Sequence, residues 1–469
     1  MHRLSYYSHR QALAVSVEAG GRAVRDALVA PAARVGPLFA GFPDLPLYVT
    51  RPAAGAPLAV PTETLVVEGA GAAEVDWACR RLSLEVIREG RRGRVLLRAV
   101  CEATGIDRLR HAADAARRLY RRGNVAVAHP NFLRLYRPPP AAAAAEAGPA
   151  LAEGQWALDN DGDVGVAGAD VGAEAAWALT TGRRRVRVAI LDDGVDLAHP
   201  YLRPAAAAER DFVADDRYGR PAGDDAHGTA VAGIVAADGP RATGLAPGVS
   251  LVAARIARGG AHGYWLSDDF DTAEAVDWCA GESGADILNL SWGGGPPADA
   301  ITGALERAAR TGRRGRGCLI VAAAGNSQSA LDYPATLPEV LAVGASNPWD
   351  RRKTRRSRDG EHWWGSSHGR NLALLAPGVS ILTTDLRGRH GFSPTLVYDA
   401  FSGTSAAAPF VSAAAALVLS LHPELPAARL RRVLEDSAVP LAGGRRSTHG
   451  HGRLDAAAAL RLAAAGAGD

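Results

Sequence analysis

The sequence predicts an α/β fold: a doubly wound, mainly parallel sheet flanked by helices, preceded by a small α+β domain. Two observations predict the sheet. Near-continuous apolar segments of strand length recur along residues 155–469, and helical segments rich in small residues separate them. A third observation predicts the separate domain, because residues 1–137 mix short alternating apolar stretches with one helical pattern.

Five apolar segments are predicted to be strands of the parallel sheet. They span residues 185–192, 250–256, 285–292, 318–326 and 340–346. In sheets of this kind the functional groups collect at the carboxyl ends of the strands. Asp192, Ser291 and Asn326 each stand where a predicted strand ends, so they are candidate site residues.

Residues 1–137 are predicted to form the α+β domain, with strands at 64–67 and 95–100 and a helix over 106–121. The following segment, 138–154, begins with three prolines and continues with an alanine tract. Such a composition does not build a packed core, so this segment is predicted to be an exposed linker. Residues 155–469 then form the second domain.

Composition excludes several classes of function. Hydrophobic residues make up 47% and charged residues 22% of the chain, which is typical of a folded, water-soluble protein. The net charge of +3 comes from 53 basic and 50 acidic residues, so no field of one sign favours nucleic acid or a membrane as partner. Arginine-rich runs at 183–185 and 351–358, the second including the single lysine, Lys353, are interpreted as solvated loops.

The remaining composition signals concern thiols, targeting and membranes. The four cysteines lack a C-x-x-C pair, so free buried thiols are expected. Charged residues interrupt the first thirty positions, which predicts no signal peptide and favours a cytoplasmic, bacterial-type location, with non-standard export left open. The apolar run 405–421 is short and contains Pro409, so a buried helix is favoured over a membrane span.

Acyl transfer by a serine requires a base, a carboxylate that orients the base, and donors for the oxyanion. Asp192 closes the segment VAILD, although Asp193 and Asp196 compete with it on position alone. His227 begins a helical segment of small residues and is the candidate base. A histidine before a helix is more often structural, so this one gains meaning only with its partners.

Ser405 and Asn326 complete the candidate set. Ser405 lies at the start of a helix of small residues, where a serine is ordinarily an N-cap. The backbone N–H groups at that helix start can also donate to an oxyanion. Asn326 follows a glycine at a strand end, which is typical of a turn residue, yet its amide is the candidate side-chain donor of the oxyanion hole.

Six motifs resemble those of the subtilisin-like serine proteases, the subtilase family, and they follow one another in the family's order over about residues 155–462. The motifs are VAILDDGVDLAHPYL, HGTAVAGIVAA, NLSWGG, VAAAGN, DYPATLPEVLAVGAS and GTSAAAP. The resemblance implies a triad of Asp192, His227 and Ser405 with Asn326 as oxyanion donor, and it makes Asp193 and Asp196 accessory. It also implies that substrate binds to Ser291, Trp292, Gly293, Ala323, Ala324 and Gly325.

Specificity and metal dependence stay open. Trp292 and the segment 211–230 lean towards the kexin-like branch of the family, which prefers basic residues before the cut. The acidic pocket residues of that branch are not evident after Gly293, and Asp332 is the remaining acidic candidate. The chemistry requires no cofactor. Structural calcium is frequent in the family, but no loop here matches a calcium ligand set, and no metal ligand is assigned.

The segment 124–138 resembles the last strand of the propeptides that chaperone and inhibit subtilases. The resemblance therefore implies a self-processing zymogen whose N-terminal domain is an intramolecular inhibitor, with a permanent small domain as the alternative. The expected function is hydrolysis of polypeptides by a serine endopeptidase through an acyl-enzyme. A maturation protease dedicated to one precursor and a catalytically silent peptide-binding fold are the rival hypotheses.

Overall fold

The structure is a computed structural model that describes residues 2–8, 11–18, 49–50, 58–101, 106–136, 154–214, 218–259 and 265–466. The chain divides into two compact units. Unit 1 contains residues 1–137, 259–277 and 294–304, and unit 2 contains residues 138–258, 278–293 and 305–469. Residues 259–277 and 294–304 thus group with the N-terminal unit, although the sequence-based boundary placed them in the second domain. The predicted linker, 138–154, lies outside the described residues except for its last position.

Nineteen strands occur in the described part of the chain. They are β1 His2–Ser8, β2 Gln11–Glu18, β3 Val49–Thr50, β4 Leu58–Glu68, β5 Leu84–Glu89, β6 Val95–Ala99, β7 Val127–Tyr136, β8 Arg187–Asp192, β9 Ala206–Asp211, β10 Ser250–Arg255, β11 Ala257–Gly259, β12 Trp265–Asp268, β13 Ile287–Leu290, β14 Leu319–Ala323, β15 Val340–Asn347, β16 Arg351–Arg352, β17 Leu372–Pro377, β18 Ile381–Thr384 and β19 Val397–Phe401.

Ten α-helices occur in the same residues. They are α1 Ala72–Leu82, α2 Ile106–Arg121, α3 Ala173–Trp177, α4 His227–Ala236, α5 Asp269–Ala280, α6 Asp299–Gly315, α7 Thr404–Leu421, α8 Ala427–Asp436, α9 Arg446–His449 and α10 Ala456–Ala465.

Unit 1 is built on an antiparallel sheet in which β12, β7, β4, β6 and β5 lie side by side. Apolar residues of β4, β5 and β6 form one core with the inward faces of α1 and α2, including Leu65, Leu97 and Leu119. The chain order strand, helix, two strands, helix, strand is that of a split βαβ unit. The α+β class predicted for this region is confirmed.

A row of ion pairs lies on unit 1. Arg94 is fully buried, and its guanidinium donates to Glu68 at 3.3 Å, to Asp277 at 2.7 Å and to Glu274. The carboxylate of Glu274 also accepts two 2.9 Å hydrogen bonds from the backbone N–H of Arg91. A buried guanidinium is tolerated only when paired and hydrogen-bonded, and three carboxylates meet that need here.

The pairing follows the sequence spacing. Arginines stand three residues apart before β6, and acidic residues stand three residues apart along α5, so the two rows match: Arg88 with Asp271, Arg91 with Glu274, and Arg94 with Asp277. Residues three apart lie on one face of a helix, which explains why these carboxylates point in the same direction. Three ion pairs therefore join residues 88–94 of the N-terminal chain to α5.

Strand β7 adds polar contacts to the same region. Asn131 donates to Asp268 at 2.6 Å, and the buried guanidinium of Arg134 pairs with Asp269. Nε2 of His129 accepts the backbone N–H of Ala300 at 3.2 Å, at the start of α6. These contacts satisfy polar groups that burial would otherwise penalise.

Replacing Arg94 by methionine is expected to destabilise unit 1 by about 3–5 kcal/mol, because the buried carboxylates of Glu274 and Asp277 lose their main cation. Hydrogen exchange of the amides of β4 and β6 measures this local stability. Arg98→Met is the matched control, since the Arg98–Glu85 pair is largely exposed and its loss changes little. Equal exchange rates in the two variants would contradict this role for Arg94.

Unit 2 is built on the predicted parallel sheet, in the order β16-β15-β14-β13-β8-β10-β9, with β17 also beside β15. Every pair is parallel except β15 with β16. From β8 the chain forms β9 and β10 on one side and then β13, β14 and β15 on the other. The sheet is therefore doubly wound, and its switch point lies at the ends of β8 and β13.

One face of this sheet packs against α4 and α7. Alternate residues such as Val188 and Ile190 of β8 join the core with Val231 and with most of α7. By length and composition α7 could cross a membrane, but 94% of it is buried inside unit 2. The prediction of a buried helix for residues 405–421 is confirmed.

The arginine-rich run 351–358 departs from its prediction at one position. Lys353, the single lysine, is fully buried with Asp359, whose carboxylate lies 2.8 Å from the ammonium. The ammonium also donates to the carbonyl oxygens of Thr354 at 3.0 Å and Glu361 at 2.6 Å. Three oxygen acceptors satisfy its three N–H donors, so the solvated-loop interpretation is wrong for Lys353.

Candidate active site

The carboxylate that ends β8 lies beside the histidine that begins α4. Nδ1–H of His227 donates to Oδ1 of Asp192 at 2.9 Å, and both side chains are buried. The same oxygen accepts the backbone N–H of Asp193 at 2.9 Å. The aromatic ring of Phe401 packs edge-on against the imidazole, with ring centroids 5.2 Å apart. A carboxylate bonded to Nδ1 holds the proton there and leaves Nε2 as the basic nitrogen.

The two competing acids serve other purposes. The Asp193 carboxylate accepts the backbone N–H groups of His227 at 3.2 Å and Gly228 at 2.7 Å, at the start of α4. Burial, with the neighbouring charge of Asp192, raises the pKa of Asp193. The Asp196 carboxylate accepts only a local backbone bond from Ala198. Asp193 thus anchors the helix that carries the histidine, and Asp196 shapes a turn.

Helix α4 approaches β8 unusually closely. A side chain at Gly228 would collide with the carbonyl oxygen of Gly194 and lie 2.9 Å from Cβ of Asp192. Glycine after the histidine is therefore required for the contact between imidazole and carboxylate.

Ser405 lies in the first turn of α7 and is 5% exposed. Its hydroxyl donates to the carbonyl oxygen of Ser291 at 2.8 Å, and the Ser291 hydroxyl donates back to the carbonyl oxygen of Ser405 at 2.9 Å. The second bond follows from Pro409, which lacks the N–H that would normally bond the carbonyl four residues earlier. Pro409 therefore leaves the Ser405 carbonyl without a donor inside the helix. The Ser291 hydroxyl replaces that donor.

The side-chain amide of Asn326 is oriented by Thr404. Oδ1 of Asn326 accepts the Thr404 backbone N–H at 2.8 Å and its hydroxyl at 3.0 Å. The Thr404 hydroxyl also accepts the backbone N–H of Gly325 at 3.1 Å. With Oδ1 anchored, Nδ2 is directed away from Thr404, and it makes no hydrogen bond with any residue that the structure describes. Thr404 was not singled out from the sequence, although it stands inside the motif GTSAAAP.

The six residues expected to bind substrate differ in what they can offer. The Ala324 backbone N–H donates to Val343 at 2.9 Å, and its carbonyl accepts from Asp332 at 3.0 Å. The Gly325 carbonyl accepts from Ser367 at 2.9 Å. Because these backbone groups already have partners within the protein, an extended peptide could pair with Ala324 or Gly325 only by sharing or displacing them.

The other four expected substrate-binding residues differ in exposure and in their contact with Ser405. Ala323 is buried at the end of β14, and the Trp292 side chain is 5% exposed. Gly293 is partly exposed. The carbonyl of Ser291 already faces the Ser405 hydroxyl, which makes it the acceptor nearest to the candidate nucleophile.

Asp332 lies between the two segments that flank Ser405. A Cβ placed on Gly325 would collide with Oδ2 of Asp332, and a Cβ placed on Gly293 would lie 3.2 Å from Cβ of Asp332. Its carboxylate has no hydrogen-bond or ion-pair partner in the described part of the chain. Burial raises the pKa of Asp332 to about 6. The sequence had left this residue unplaced.

The four cysteines and the potential metal-binding side chains are the remaining features that the sequence raised. The four cysteines are free, but only Cys279 and Cys318 are buried, while Cys79 and Cys101 are partly exposed. Burial raises the pKa of Cys318 to about 12, so its thiol is unreactive near neutrality. Within the described ranges, no three His, Cys, Asp or Glu side chains lie close enough to hold a metal ion.

The fold and the site define a doubly wound α/β protein with a buried Asp–His pair at the end of β8 and a serine in the first turn of α7. Comparison with known families makes the assignment specific: the model of the subtilase family matches residues 183–458. The chain therefore belongs to the subtilase family.

Individual relatives agree with that assignment. Subtilisin DY of Bacillus licheniformis is 34% identical over 283 residues, covering 59% of this chain and 91% of that protein. The Calcium-dependent protease of Trichormus variabilis is 30% identical over 395 residues and covers 75% of this chain. This chain spans 56% of the length of that relative.

Solved structures show the same fold. Fervidolysin from Fervidobacterium pennivorans, described as a keratinolytic enzyme related to subtilisin, has a TM-score of 0.65 and 22% identity, covering 87% of this chain and 62% of that one. The serine protease of Aeromonas sobria has a TM-score of 0.58 and 23% identity, covering 66% of each chain.

Replacing Asp332 by asparagine is expected to raise the free energy of unfolding at pH 8 by about 1–3 kcal/mol. The pKa rises from 3.8 to about 6 on folding, so the folded chain binds the proton more tightly. Stability is therefore lost as pH increases through that window, and the neutral amide avoids the loss. Denaturant unfolding at pH 8 and pH 3.5 measures the effect. An equal gain at both pH values, or an equal gain in the exposed variant Asp399→Asn, would contradict the explanation.

Proposed function

We propose that this chain is a serine endopeptidase that hydrolyses polypeptides through an acyl-enzyme, with Asp192, His227 and Ser405 as its triad. The observation that carries the proposal is the 2.9 Å hydrogen bond between the buried Asp192 carboxylate and Nδ1 of His227. Ser405 stands in the first turn of α7, which packs against α4, the helix that His227 begins. Asn326 is the proposed side-chain donor of the oxyanion hole. The family assignment supports this chemistry.

In the proposed first step, the Ser405 hydroxyl transfers its proton to Nε2 of His227 while its oxygen attacks the peptide carbonyl carbon. Asp192 keeps the other imidazole proton on Nδ1 and stabilises the imidazolium that forms. The hydroxyl rests 2.8 Å from the Ser291 carbonyl oxygen. A substrate N–H that donates to this oxygen would compete for the same acceptor and free the hydroxyl to turn towards the imidazole.

The negative charge that develops on the carbonyl oxygen needs fixed donors. Nδ2 of Asn326 and the backbone N–H of Ser405 are proposed for this role. Because Thr404 holds Oδ1 of Asn326 by two bonds, the amide does not have to reorganise during the reaction. His227 then gives its proton to the leaving amine, and a water molecule, deprotonated by the same imidazole, releases the acyl group. No step requires a cofactor.

Calcium is not assigned to this chain. Relatives named Calcium-dependent protease share 30% identity with it. Over the described ranges, acidic, histidine and cysteine side chains form no group of three or more that could hold a metal ion.

We further propose that the N-terminal domain is an intramolecular inhibitor and that the chain is a self-processing zymogen. The buried pairs of Arg94 and Arg134 with residues of the segment 265–277 support a specific association of the N-terminal chain with that segment. The Pro- and Ala-rich composition of residues 138–154 supports a site where proteolysis separates the domain.

Ser405→Ala is expected to abolish both labelling by a fluorophosphonate probe and cleavage of a peptide substrate, because the proposed nucleophile is lost. Asn326→Ala should label but turn over about 100- to 1000-fold more slowly, since one oxyanion donor is lost. Asn371→Ala removes an amide that bonds Thr336 instead and is the matched control. A wild-type chain that never labels, even after its linker is cut, would point to the silent peptide-binding alternative.

Cutting the linker is expected to raise activity on a peptide substrate, because the proposed inhibitor becomes able to dissociate. The recognition sequence of a site-specific protease is inserted into the alanine tract 141–145, and activity is measured before and after cutting. The same insertion in Ser405→Ala controls for the added protease. Unchanged activity after complete cutting would favour a permanent small domain.

A further inference from the structure

A loop of unit 2 that is rich in arginine lies beside the proposed oxyanion donor. The backbone N–H of Gly365 donates to the carbonyl oxygen of Asn326 at 3.2 Å, and the Gly365 carbonyl oxygen accepts the N–H of Gln328 at 2.8 Å. The side chain of Gln328 in turn accepts the backbone N–H of Arg355 at 2.6 Å. Residues 351–370, which we call the arginine loop, are therefore attached to the segment that begins at Asn326.

The buried ammonium of Lys353 holds the backbone of the arginine loop. It bonds to the carboxylate of Asp359 and to the carbonyl oxygens of Thr354 and Glu361, so the chain closes around this cation. The Ser357 hydroxyl accepts the backbone N–H of Thr354 at 2.8 Å inside the same loop. A loop that is already ordered loses less conformational entropy when a partner binds to it.

The charges of the arginine loop differ between its interior and its surface. The loop contains six arginines, one lysine and two acidic residues. The side chains of both acids, Asp359 and Glu361, are buried. Four arginines are exposed, and their guanidinium groups have no hydrogen-bond or ion-pair partner in the described part of the chain: Arg355, Arg356, Arg358 and Arg370. The surface of the loop is therefore positive, because no acidic side chain of the loop lies outside to neutralise it.

The chemistry of these groups indicates an anionic partner. Guanidinium groups pair with carboxylates through two parallel N–H···O bonds. The net charge of the whole chain is only +3, so the positive field is confined to this loop and does not extend over a surface that suits a nucleic acid or a membrane. In the proposed reaction the scissile carbonyl lies at Asn326, so residues that flank the cut pass close to the loop. A polypeptide with acidic residues near its cleavage site fits both observations.

We infer that the arginine loop is an accessory binding site for acidic segments of polypeptide substrates. The inference rests on the proposed function and adds a substrate class to it. Attraction away from the reacting atoms raises the local concentration of such substrates, so it should lower KM and leave kcat unchanged. Because the arginines are exposed, salt should screen the attraction.

The test uses one peptide that the wild-type chain cleaves, extended by a flexible spacer and four glutamates on one side of the cut or on the other. Peptides with four glutamines in the same places are the neutral counterparts. Active enzyme is counted first by fluorophosphonate labelling. At low ionic strength, the better of the two glutamate peptides should exceed its glutamine counterpart in kcat/KM by at least about 10-fold. This ratio should fall towards 1 as the salt concentration rises to about 1 M.

One variant removes three charges from the loop and should bring the glutamate-to-glutamine ratio close to 1: Arg355→Gln, Arg356→Gln and Arg358→Gln. The matched control removes three charges from exposed arginines at the other edge of the sheet of unit 2 and should keep the wild-type ratio: Arg310→Gln, Arg314→Gln and Arg316→Gln. Neighbouring Arg313 marks that edge, since it pairs at 3.0 Å with Asp286, which directly precedes β13. Equal ratios in the two variants would contradict the role of the loop.

A second measurement on the wild-type chain does not depend on the folding of the variants. Poly-D-glutamate should inhibit cleavage of the glutamate peptide more strongly than cleavage of the glutamine peptide, because it competes for the loop alone. Stronger inhibition by oligothymidylate or by phosphatidylserine vesicles of equal charge would assign the loop to another partner and overturn the inference. A ratio near 1 for both placements at low salt, in labelled enzyme, would overturn the inference and leave the proposed function intact. Absence of labelling would overturn the proposed function and this inference with it.

Discussion

The close approach of α4 to β8 is the constraint on which the rest of the site depends. The imidazole of His227 can meet a carboxylate at the end of a strand only if the helix starts almost against the sheet, and Gly228 permits this. Asp193 holds the same helix start through two backbone N–H groups. The doubly wound topology then brings the ends of β8 and β13 together, so that Ser291 and Ser405 lie at the same edge.

The charged groups inside this protein differ in whether they have a partner of opposite charge. Arg94 is fully buried among three carboxylates, and fully buried Lys353 has an acceptor for each of its three N–H donors, so both fix the arrangement of the segments around them. Asp332 is held inside the protein with no described partner.

The sequence predicted the elements whose signal is local. Five strand segments were placed to within two or three residues, because continuous apolar runs and their following turn residues are visible in the chain. The helix 106–121 was placed without error. Position at the strand end left Asp192, Asp193 and Asp196 open as partners of His227, and the resemblance to the family motif selected Asp192.

What the sequence could not supply depends on contacts between distant residues. The role of Thr404 can be recognised only from its distance to Asn326. The location of Asp332 can be recognised only from the path of the loop after Asn326. The grouping of residues 265–277 with the N-terminal chain depends on ion pairs across more than a hundred residues, such as Arg94 with Glu274. Pro409 is visible in the sequence, but the Ser291 hydroxyl that replaces the missing N–H donor of this proline lies 114 positions from Ser405.

The solitary lysine has a practical consequence. The buried ammonium of Lys353 is bonded to Asp359 and to two carbonyl oxygens. Amine-acylating reagents and lysine-specific proteases therefore have no accessible lysine side chain in the folded described region. Modification of Lys353 therefore requires that this part of unit 2 opens. The rate at which an acylating reagent modifies Lys353 would therefore measure the rate of that local opening, without any engineered label.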